Sequence, residues 1–348
     1  MHEHRGRARR LALTVIVLAA AAALVVGGLL FFSWLEKKND PVPAGAGEAP
    51  TRIDPGEEPG GDGGPELPAL FYGGKRYVYN DSLETLLILG IDDDTPTDSG
   101  KGRNSGQSDF LLLAVFDPAS ESCTLLQLDR NTMCEIPALD YYGAEIGTEY
   151  AQLALAHTYG NGLERSCENT AAAVSRLLYG IEIDNYFALT MNAIPILNDL
   201  VGGVTVRIED DFSGIDDSLV KGETVTLTSE NVEHYVRSRM RMSDDPTNRA
   251  RMRRQRTYMT ALFSALSAAM RRDSAFALDA YAAVADSLVT DCSVDGLTDY
   301  MQRLSDYALS GVVTPEGETV LGEKHEELYL DEAELQRLVI ETFYREEP

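Results

Sequence analysis

Residues Leu11–Leu35 form a continuous apolar run that contains no charged side chain. A helix needs about 20 such residues to cross the hydrocarbon core of a bilayer, so this run predicts one transmembrane helix. A cleaved signal peptide is the alternative, but its apolar region is shorter and ends in small residues, whereas this run ends in Phe31, Phe32 and Trp34. We therefore favour a permanent anchor.

Basic residues on either side of this run predict its orientation. Four arginines lie within residues 1–10, whereas Lys37 and Lys38 alone follow the run closely. Because basic residues favour the cytoplasmic side, we expect a single-pass protein of the cell membrane with residues 1–10 in the cytoplasm and an extracellular C-terminal part.

Residues 36–70 are rich in proline and glycine and nearly lack large apolar side chains. Such a segment cannot bury enough surface to fold, so it is predicted to be a flexible stalk. Residues 71–348 are numerous enough for one extracytoplasmic domain with its own hydrophobic core.

Three apolar segments predict neighbouring strands, at 83–92, 108–117 and 123–130. The turn sequence PASES between the last two predicts a hairpin. Helical patterns follow at 166–180 and 191–203. Strands interleaved with helices predict an α/β fold, a single layered domain in which helices flank a central mixed sheet.

Residues 235–256 carry eight arginines and two acidic residues, although the net charge of the chain is −26. Guanidinium groups match phosphate and carboxylate oxygens, so this cluster suggests an anionic ligand. Ser229 is predicted to cap a helix with Arg237 and Arg239 at its end. Since positive charge there also favours the helix dipole, a solvated helix face is the alternative.

Strand pairing predicts where further charged residues meet. In a hairpin, Arg130 after the third strand lies at the same sheet edge as Asp109 at the start of the second. If the first strand is antiparallel to the second, Asp92 reaches that edge as well. Two carboxylates suit a hard divalent cation such as Mg²⁺, which also accepts phosphate oxygens as ligands.

Other function classes lack support. The acidity of the chain argues against nucleic acid as a partner, and none of the motifs H-E-x-x-H, G-x-x-x-x-G-K-[ST] and G-x-S-x-G occurs. Four cysteines allow three disulfide pairings or buried free thiols, and the sequence leaves these open. They are Cys123, Cys134, Cys167 and Cys292.

Several short motifs follow one another in the chain: LLILGID, GQSDFLLLAVFD, LLQLDRNTMCEIP, QLALAHTYGNG, LVGGVTVRI, YVRSR and RMRRQR. With the N-terminal span, they resemble the LytR-CpsA-Psr family over roughly residues 83–270. The resemblance implies a membrane-anchored phosphotransferase that moves a glycopolymer from an undecaprenyl-pyrophosphate carrier onto peptidoglycan or another wall polymer. The implied partners are this polyprenyl-pyrophosphate-linked glycan, the peptidoglycan acceptor and the membrane, and the implied cofactor is Mg²⁺ or Mn²⁺.

The resemblance also implies roles for individual residues. Asp92 and Asp109 match the metal ligands of the family, and Asp109 and Arg130 are the candidate catalytic residues. Asp109 is the better candidate to assist deprotonation of an acceptor hydroxyl. The implied pyrophosphate-binding residues are Arg130, Arg237, Arg239, Arg251 and Gln255.

The chain departs from the family pattern at several polar positions. Gln107 stands where the family has arginine, and Asp129-Arg130-Asn131 stands where it has Pro-Arg-Asp. Gln152 and Ala154 replace the lysine and asparagine of a Lys-x-Asn motif.

Three alternatives remain open at this stage. A pyrophosphate hydrolase would use the same site with water as the acceptor. A non-catalytic receptor would bind an anionic wall polymer through the arginines. A membrane-tethered transcription factor would require the arginines to lie inside the cell.

Overall fold

The computed structural model describes residues 51–52, 69–100, 102–238, 248–273, 276–293, 296, 299–300, 303, 307–323 and 325–347. The predicted span, most of the predicted stalk and Arg239 lie outside these residues. No helix among the described residues is both apolar enough and long enough to cross a bilayer.

A six-stranded mixed sheet forms the centre of the fold, in the order β12-β9-β4-β5-β6-β13. The three predicted strands form its antiparallel middle, and β9 and β13 join β4 and β6 in parallel. The prediction of a central mixed sheet is therefore confirmed. The strands are β4 Glu84–Ile91, β5 Ser108–Asp117, β6 Ser122–Leu128, β9 Asn185–Thr190, β12 Leu288–Thr290 and β13 Ala308–Val313.

Smaller sheets surround this centre. One has the order β1-β2-β3-β16, and three two-stranded antiparallel sheets pair β7 with β8, β10 with β11 and β14 with β15. Their bounds are β1 Thr51–Arg52, β2 Leu70–Tyr72, β3 Lys75–Tyr79, β7 Met133–Leu139, β8 Glu145–Gln152, β10 Thr205–Arg207, β11 Thr224–Thr226, β14 Gly317–Leu321, β15 Glu326–Leu330 and β16 Tyr344–Glu347.

The helices of the described residues include α1 Glu164–Leu177, α2 Ala193–Leu200, α3 Val232–Arg237, α4 Asn248–Arg272, α5 Phe276–Val284 and α6 Glu332–Phe343. Two 3-10 turns span Leu153–Thr158 and Ala285–Ser287. The prediction that Ser229 caps α3 is wrong: the N-cap is Asn231, and its side chain accepts instead from the Thr228 backbone N–H.

Side chains of the central strands alternate between two buried faces. Leu87 and Leu113 pack with α1 and α6, whereas Leu86 and Leu112 belong to a second cluster that Met259 of α4 also contacts. Because both faces are covered, these strands are continuously apolar. All four cysteines lie within the described residues and are free thiols, so none of the three possible disulfide pairings is formed.

Candidate functional site

Three predicted site residues meet at one edge of the central sheet. Strand pairing aligns Ile91 with Ser108 and Leu111 with Leu128, which places Asp92, Asp109 and Arg130 at neighbouring strand ends. The Arg130 Nε lies 3.0 Å from the Asp109 Oδ1. The structure therefore brings together residues that are distant in sequence, as the pairing predicts.

Arg251 reaches the same aspartate from helix α4. Its Nη1 donates to the Asp109 Oδ2 at 2.8 Å, and the residue is only 6% exposed. Two guanidinium groups from different elements thus hold one partly buried carboxylate. Fixed positive charge of this kind can stabilise a phosphate group without reorganisation.

Arg237 brings a third guanidinium to this edge. Its Nη2 donates to the Asp92 Oδ1 at 2.5 Å, while its Nη1 lies 3.4 Å from Glu233 one turn earlier in α3. The Arg237 side chain is half-exposed. It is therefore the most accessible of the described arginines that contact Asp92 or Asp109.

Gln255 lies against the backbone of α3. Its Nε2 donates to the Val236 carbonyl at 3.5 Å, and its buried Oε1 has no hydrogen-bond partner among the described residues. This contact places Gln255 next to the helix end that presents Arg237. Its predicted contact with pyrophosphate stays a prediction.

The carboxylates of Asp92 and Asp109 at the sheet edge are the groups that could hold a divalent cation. The Asp109 Oδ1 is buried, and the N–H of the nearby Arg130 Nε is not aligned with it, so this oxygen makes no hydrogen bond in the described structure. The described residues contain no group of three or more His, Cys, Asp or Glu side chains suited to a metal. Mg²⁺ requires fewer, since one or two carboxylates with waters and phosphate oxygens complete its coordination.

The positions that depart from the family pattern contact one another or the site. The Gln107 Oε1 accepts a hydrogen bond from Arg130. The Gln152 Nε2 donates to the Asn131 Oδ1 at 3.3 Å and to the Glu326 carbonyl at 2.7 Å. Two neutral residues thus pair where the family pattern has a lysine and an aspartate. Ala154 is buried, and its backbone N–H donates to the Arg130 carbonyl at 3.0 Å.

Asp129 and Asn248 are site neighbours that the sequence reasoning missed. The Asn248 Nδ2 donates to the Asp129 Oδ1 at 2.6 Å, and the Asn248 Oδ1 accepts from the Arg251 Nη2 at 2.6 Å. Burial raises the pKa of the Asp129 carboxyl, against hydrogen bonds and arginines that lower it. The signal was an acid placed between an apolar strand and Arg130.

A second group of arginines on α4 lies away from the sheet edge. Arg253 and Arg254 both bind Asp210, at 2.9 and 2.6 Å. Arg254 also donates to the carbonyls of Tyr235 and Ser238. These hydrogen bonds of Arg254 connect α4 to the C-terminal end of α3.

An apolar pocket lies on the face of the sheet that α4 covers. Its cavity volume is about 30 Å³, and the space beyond that is open to solvent. Its lining consists of Phe110, Leu112, Leu125, Gln127, Arg256, Met259 and Val312. Arg256, one of the lining residues, lies five positions after Arg251 on α4, so the same helix carries the contact with Asp109 and one wall of this pocket.

His157 supports the segment that leads into β5. Its Nδ1 lies 2.9 Å from the Gly106 carbonyl, and the Asn104 Nδ2 donates to the His157 carbonyl at 2.8 Å. Burial lowers the pKa of His157, which favours the neutral ring. The neutral ring then donates from Nδ1 and holds Gly106, one residue before Gln107.

Among known proteins, this chain is similar in sequence to transferases named TagU. TagU of Halalkalibacterium halodurans, a polyisoprenyl-teichoic acid–peptidoglycan teichoic acid transferase, is 29% identical over 215 residues, which cover 61% of this chain and 62% of TagU. TagU of Enterococcus faecalis is 28% identical over 215 residues, with 61% and 63% covered. The match therefore spans less than two thirds of either relative.

Solved structures share the fold. The protein gbs0355 of Streptococcus agalactiae superimposes with a TM-score of 0.59 at 21% identity and covers 75% of this chain and 88% of that one. TagT bound to LIIa-WTA superimposes with a TM-score of 0.54 at 19% identity, with 75% and 90% covered. A model of the LytR_cpsA_psr family matches residues 74–338, and this chain therefore belongs to the LytR_cpsA_psr family.

Proposed function

We propose that this protein is a membrane-anchored phosphotransferase that moves a glycopolymer from an undecaprenyl-pyrophosphate carrier onto peptidoglycan or another wall acceptor. The observation that carries the proposal is the meeting of three arginines and two aspartates at one sheet edge, beside an apolar pocket. Its relatives named TagU are teichoic acid transferases, which supports the same class of reaction.

The two neighbouring environments fit the two parts of such a carrier. Arg130, Arg237 and Arg251 supply positive charge for the pyrophosphate. The apolar side chains that line the pocket, Met259 among them, would contact the isoprenoid unit nearest to the pyrophosphate. A polyprenyl pyrophosphate therefore suits this site better than a soluble anion does.

The proposed transfer is a substitution at phosphorus. The acceptor hydroxyl oxygen bonds to the phosphorus that carries the glycan, the bond from that phosphorus to the bridging oxygen breaks, and polyprenyl phosphate leaves. Asp109, held by Arg130 and Arg251, takes the hydroxyl proton. Mg²⁺ or Mn²⁺ held by Asp92 and Asp109 would neutralise charge on the phosphates. The arginines hold the pyrophosphate oxygens.

The reaction is tested by release of polyprenyl phosphate from an undecaprenyl-pyrophosphate glycan, with and without peptidoglycan. We expect Asp92→Ala and Asp109→Ala to abolish turnover and weaken Mg²⁺ binding in calorimetric titration. Arg130→Lys and Arg237→Lys are expected to reduce turnover because lysine cannot reproduce bidentate contacts. Arg253→Lys is the matched control, since Arg253 binds Asp210 instead.

The outcomes separate the candidate activities. Glycan joined to peptidoglycan supports the transferase. Release of phosphorylated glycan that never joins the acceptor would support a hydrolase. Binding of wall polymer without any release of polyprenyl phosphate would support a receptor.

We also propose that the chain is anchored by Leu11–Leu35, with its N-terminus in the cytoplasm and residues 71–348 outside. Protease added to intact, wall-stripped cells should then remove the C-terminal part. Complete protection of that part would contradict both the topology and a function in the cell wall.

A further inference from the structure

A polar pocket lies near the carboxylate site, because Asn248 in its lining accepts a hydrogen bond from Arg251, which binds Asp109. It forms where the β14–β15 hairpin, the end of β6 and the start of α4 meet, and its cavity volume is about 290 Å³. The polar side chains that line it are those of Asp129, Asn131, Asn248, Arg249, Thr319 and Glu326.

The charges of this pocket differ from those of the carboxylate site. Two carboxylates, Asp129 and Glu326, face one guanidinium, that of Arg249. The Glu326 Oε2 also accepts from the Asn248 backbone N–H at 3.1 Å, so a carboxylate already occupies the start of α4. The lining therefore offers a phosphate group no excess of positive charge, whereas an uncharged ligand needs none.

The lining offers many hydrogen-bonding groups in fixed positions. Asn131 and Asn248 are buried, and each is held by another polar side chain, Gln152 and Arg251 respectively. Amides, carboxylates, a hydroxyl and a guanidinium together provide both donors and acceptors. A ring that carries several hydroxyl groups can use both kinds, which an apolar molecule cannot.

Helix α4 contributes a residue in turn to the polar pocket, to the arginine–carboxylate site and to the apolar pocket. Arg249 lines the polar pocket, Arg251 binds Asp109, and Met259 lines the apolar pocket. At 1.5 Å per residue, the whole series spans roughly 15 Å. Its order, apolar then cationic then polar, is the order of lipid, pyrophosphate and sugar in a glycan carrier.

We propose that the polar pocket binds an uncharged pyranose ring next to the pyrophosphate, either the first sugar of the donor glycan or a sugar of the acceptor. This inference rests on the proposed phosphotransferase function. Arg249 and Thr319 are exposed, so changing them leaves the buried network of Asp129 and Asn248 in place.

The test compares full-length Arg249→Ala and Thr319→Val with wild type. Binding is measured for undecaprenyl pyrophosphate without sugar and for the same lipid bearing one N-acetylhexosamine, and KM is measured for peptidoglycan fragments. Glu318→Gln is the matched control, because neighbouring side chains of a strand point to opposite faces.

For a donor sugar, both variants bind the sugar-bearing lipid more weakly, about tenfold for Arg249→Ala and about fivefold for Thr319→Val, and bind the sugar-free lipid as wild type does. For an acceptor sugar, binding of both lipids is unchanged and KM for peptidoglycan rises by similar factors. Either result supports a pyranose site and shows whether the bound sugar belongs to the donor or to the acceptor.

An unchanged affinity for the sugar-bearing lipid together with an unchanged KM would overturn the inference. Equal weakening for both lipids would also overturn it, because the pocket would then act on the pyrophosphate. Failure of wild type to bind even the sugar-free lipid would overturn the proposed function and this inference with it.

Discussion

Arg251 and Arg254 lie one turn apart on α4 and are both nearly fully buried, yet they act on different parts of the molecule. Arg251 holds Asp109, whose side chain remains 17% exposed and has one oxygen that accepts no hydrogen bond from the described residues. Arg254 holds Asp210, whose side chain is 6% exposed. Accessibility of the carboxylate, rather than the density of arginines, distinguishes a candidate ligand site from an internal ion pair.

The largest effect on stability is expected at the internal ion pair of Arg254 and Asp210. Arg254→Ala leaves the buried Asp210 with less positive charge and removes the hydrogen bonds to the end of α3. We expect a loss of about 3–5 kcal/mol in the free energy of unfolding. Urea denaturation measures it. The folded fraction should keep its turnover, and lost turnover at unchanged stability would contradict the assignment of Arg254 to the scaffold.

The next largest effect is expected at Arg251. Arg251→Lys keeps a positive charge but cannot donate to Asp109 and Asn248 at the same time. We expect turnover to fall about 100-fold, as measured by release of polyprenyl phosphate. The stability loss should be smaller than for Arg254→Ala. Near-native turnover would remove Arg251 from the site.

A smaller effect on stability is expected to distinguish the carboxylate of Asp129 from that of Asp210. Burial raises the pKa of Asp129, so the folded chain disfavours its charged form and stability is lost as pH rises from the ordinary pKa of 3.8 through the folded-state value. We expect Asp129→Asn to be at least as stable as wild type at neutral pH, because the amide oxygen can still accept from Asn248. Its advantage should shrink towards about pH 4.

Urea denaturation across this pH range measures the difference. Asp210→Asn is the matched comparison, because it leaves the buried Arg254 without its anionic partner in that ion pair. We expect this variant to be less stable than wild type at neutral pH. A stabilised Asp210→Asn would show that the two carboxylates do not differ as described.

The smallest effect is expected at Arg253, whose side chain is half-exposed although it also contacts Asp210. Arg253→Gln should change the free energy of unfolding by at most about 1 kcal/mol, since solvent screens exposed ion pairs. Turnover should not change. A larger loss would mean that Asp210 depends on both arginines equally.

Local patterns were sufficient to predict the middle of the sheet. The runs that became β4, β5 and β6 are long and apolar, and hairpin pairing alone then placed Arg130 beside Asp109. The cap at Ser229 was wrong because several hydroxyl and amide side chains near the start of α3 compete for the same role.

Contacts between distant segments could not be predicted in this way. Asn248 meets Asp129 across 119 positions, and Arg254 meets Asp210 across 44. Neither pair has a periodic pattern that relates its members, since tertiary packing alone decides which buried arginine faces which carboxylate. The sequence therefore predicted an arginine cluster but not its division into two groups.

The edges of the central sheet have a consequence for folding during synthesis. All residues proposed to bind the metal ion or the pyrophosphate precede Arg256, whereas both edge strands, β12 and β13, come from residues after 287. A nascent chain that ends at Arg256 thus contains every group proposed to touch the pyrophosphate, but β6 and β9 still lack partners on their outer sides. Such unpaired strand edges can pair with other chains and aggregate until β12 and β13 have been synthesised and cover them.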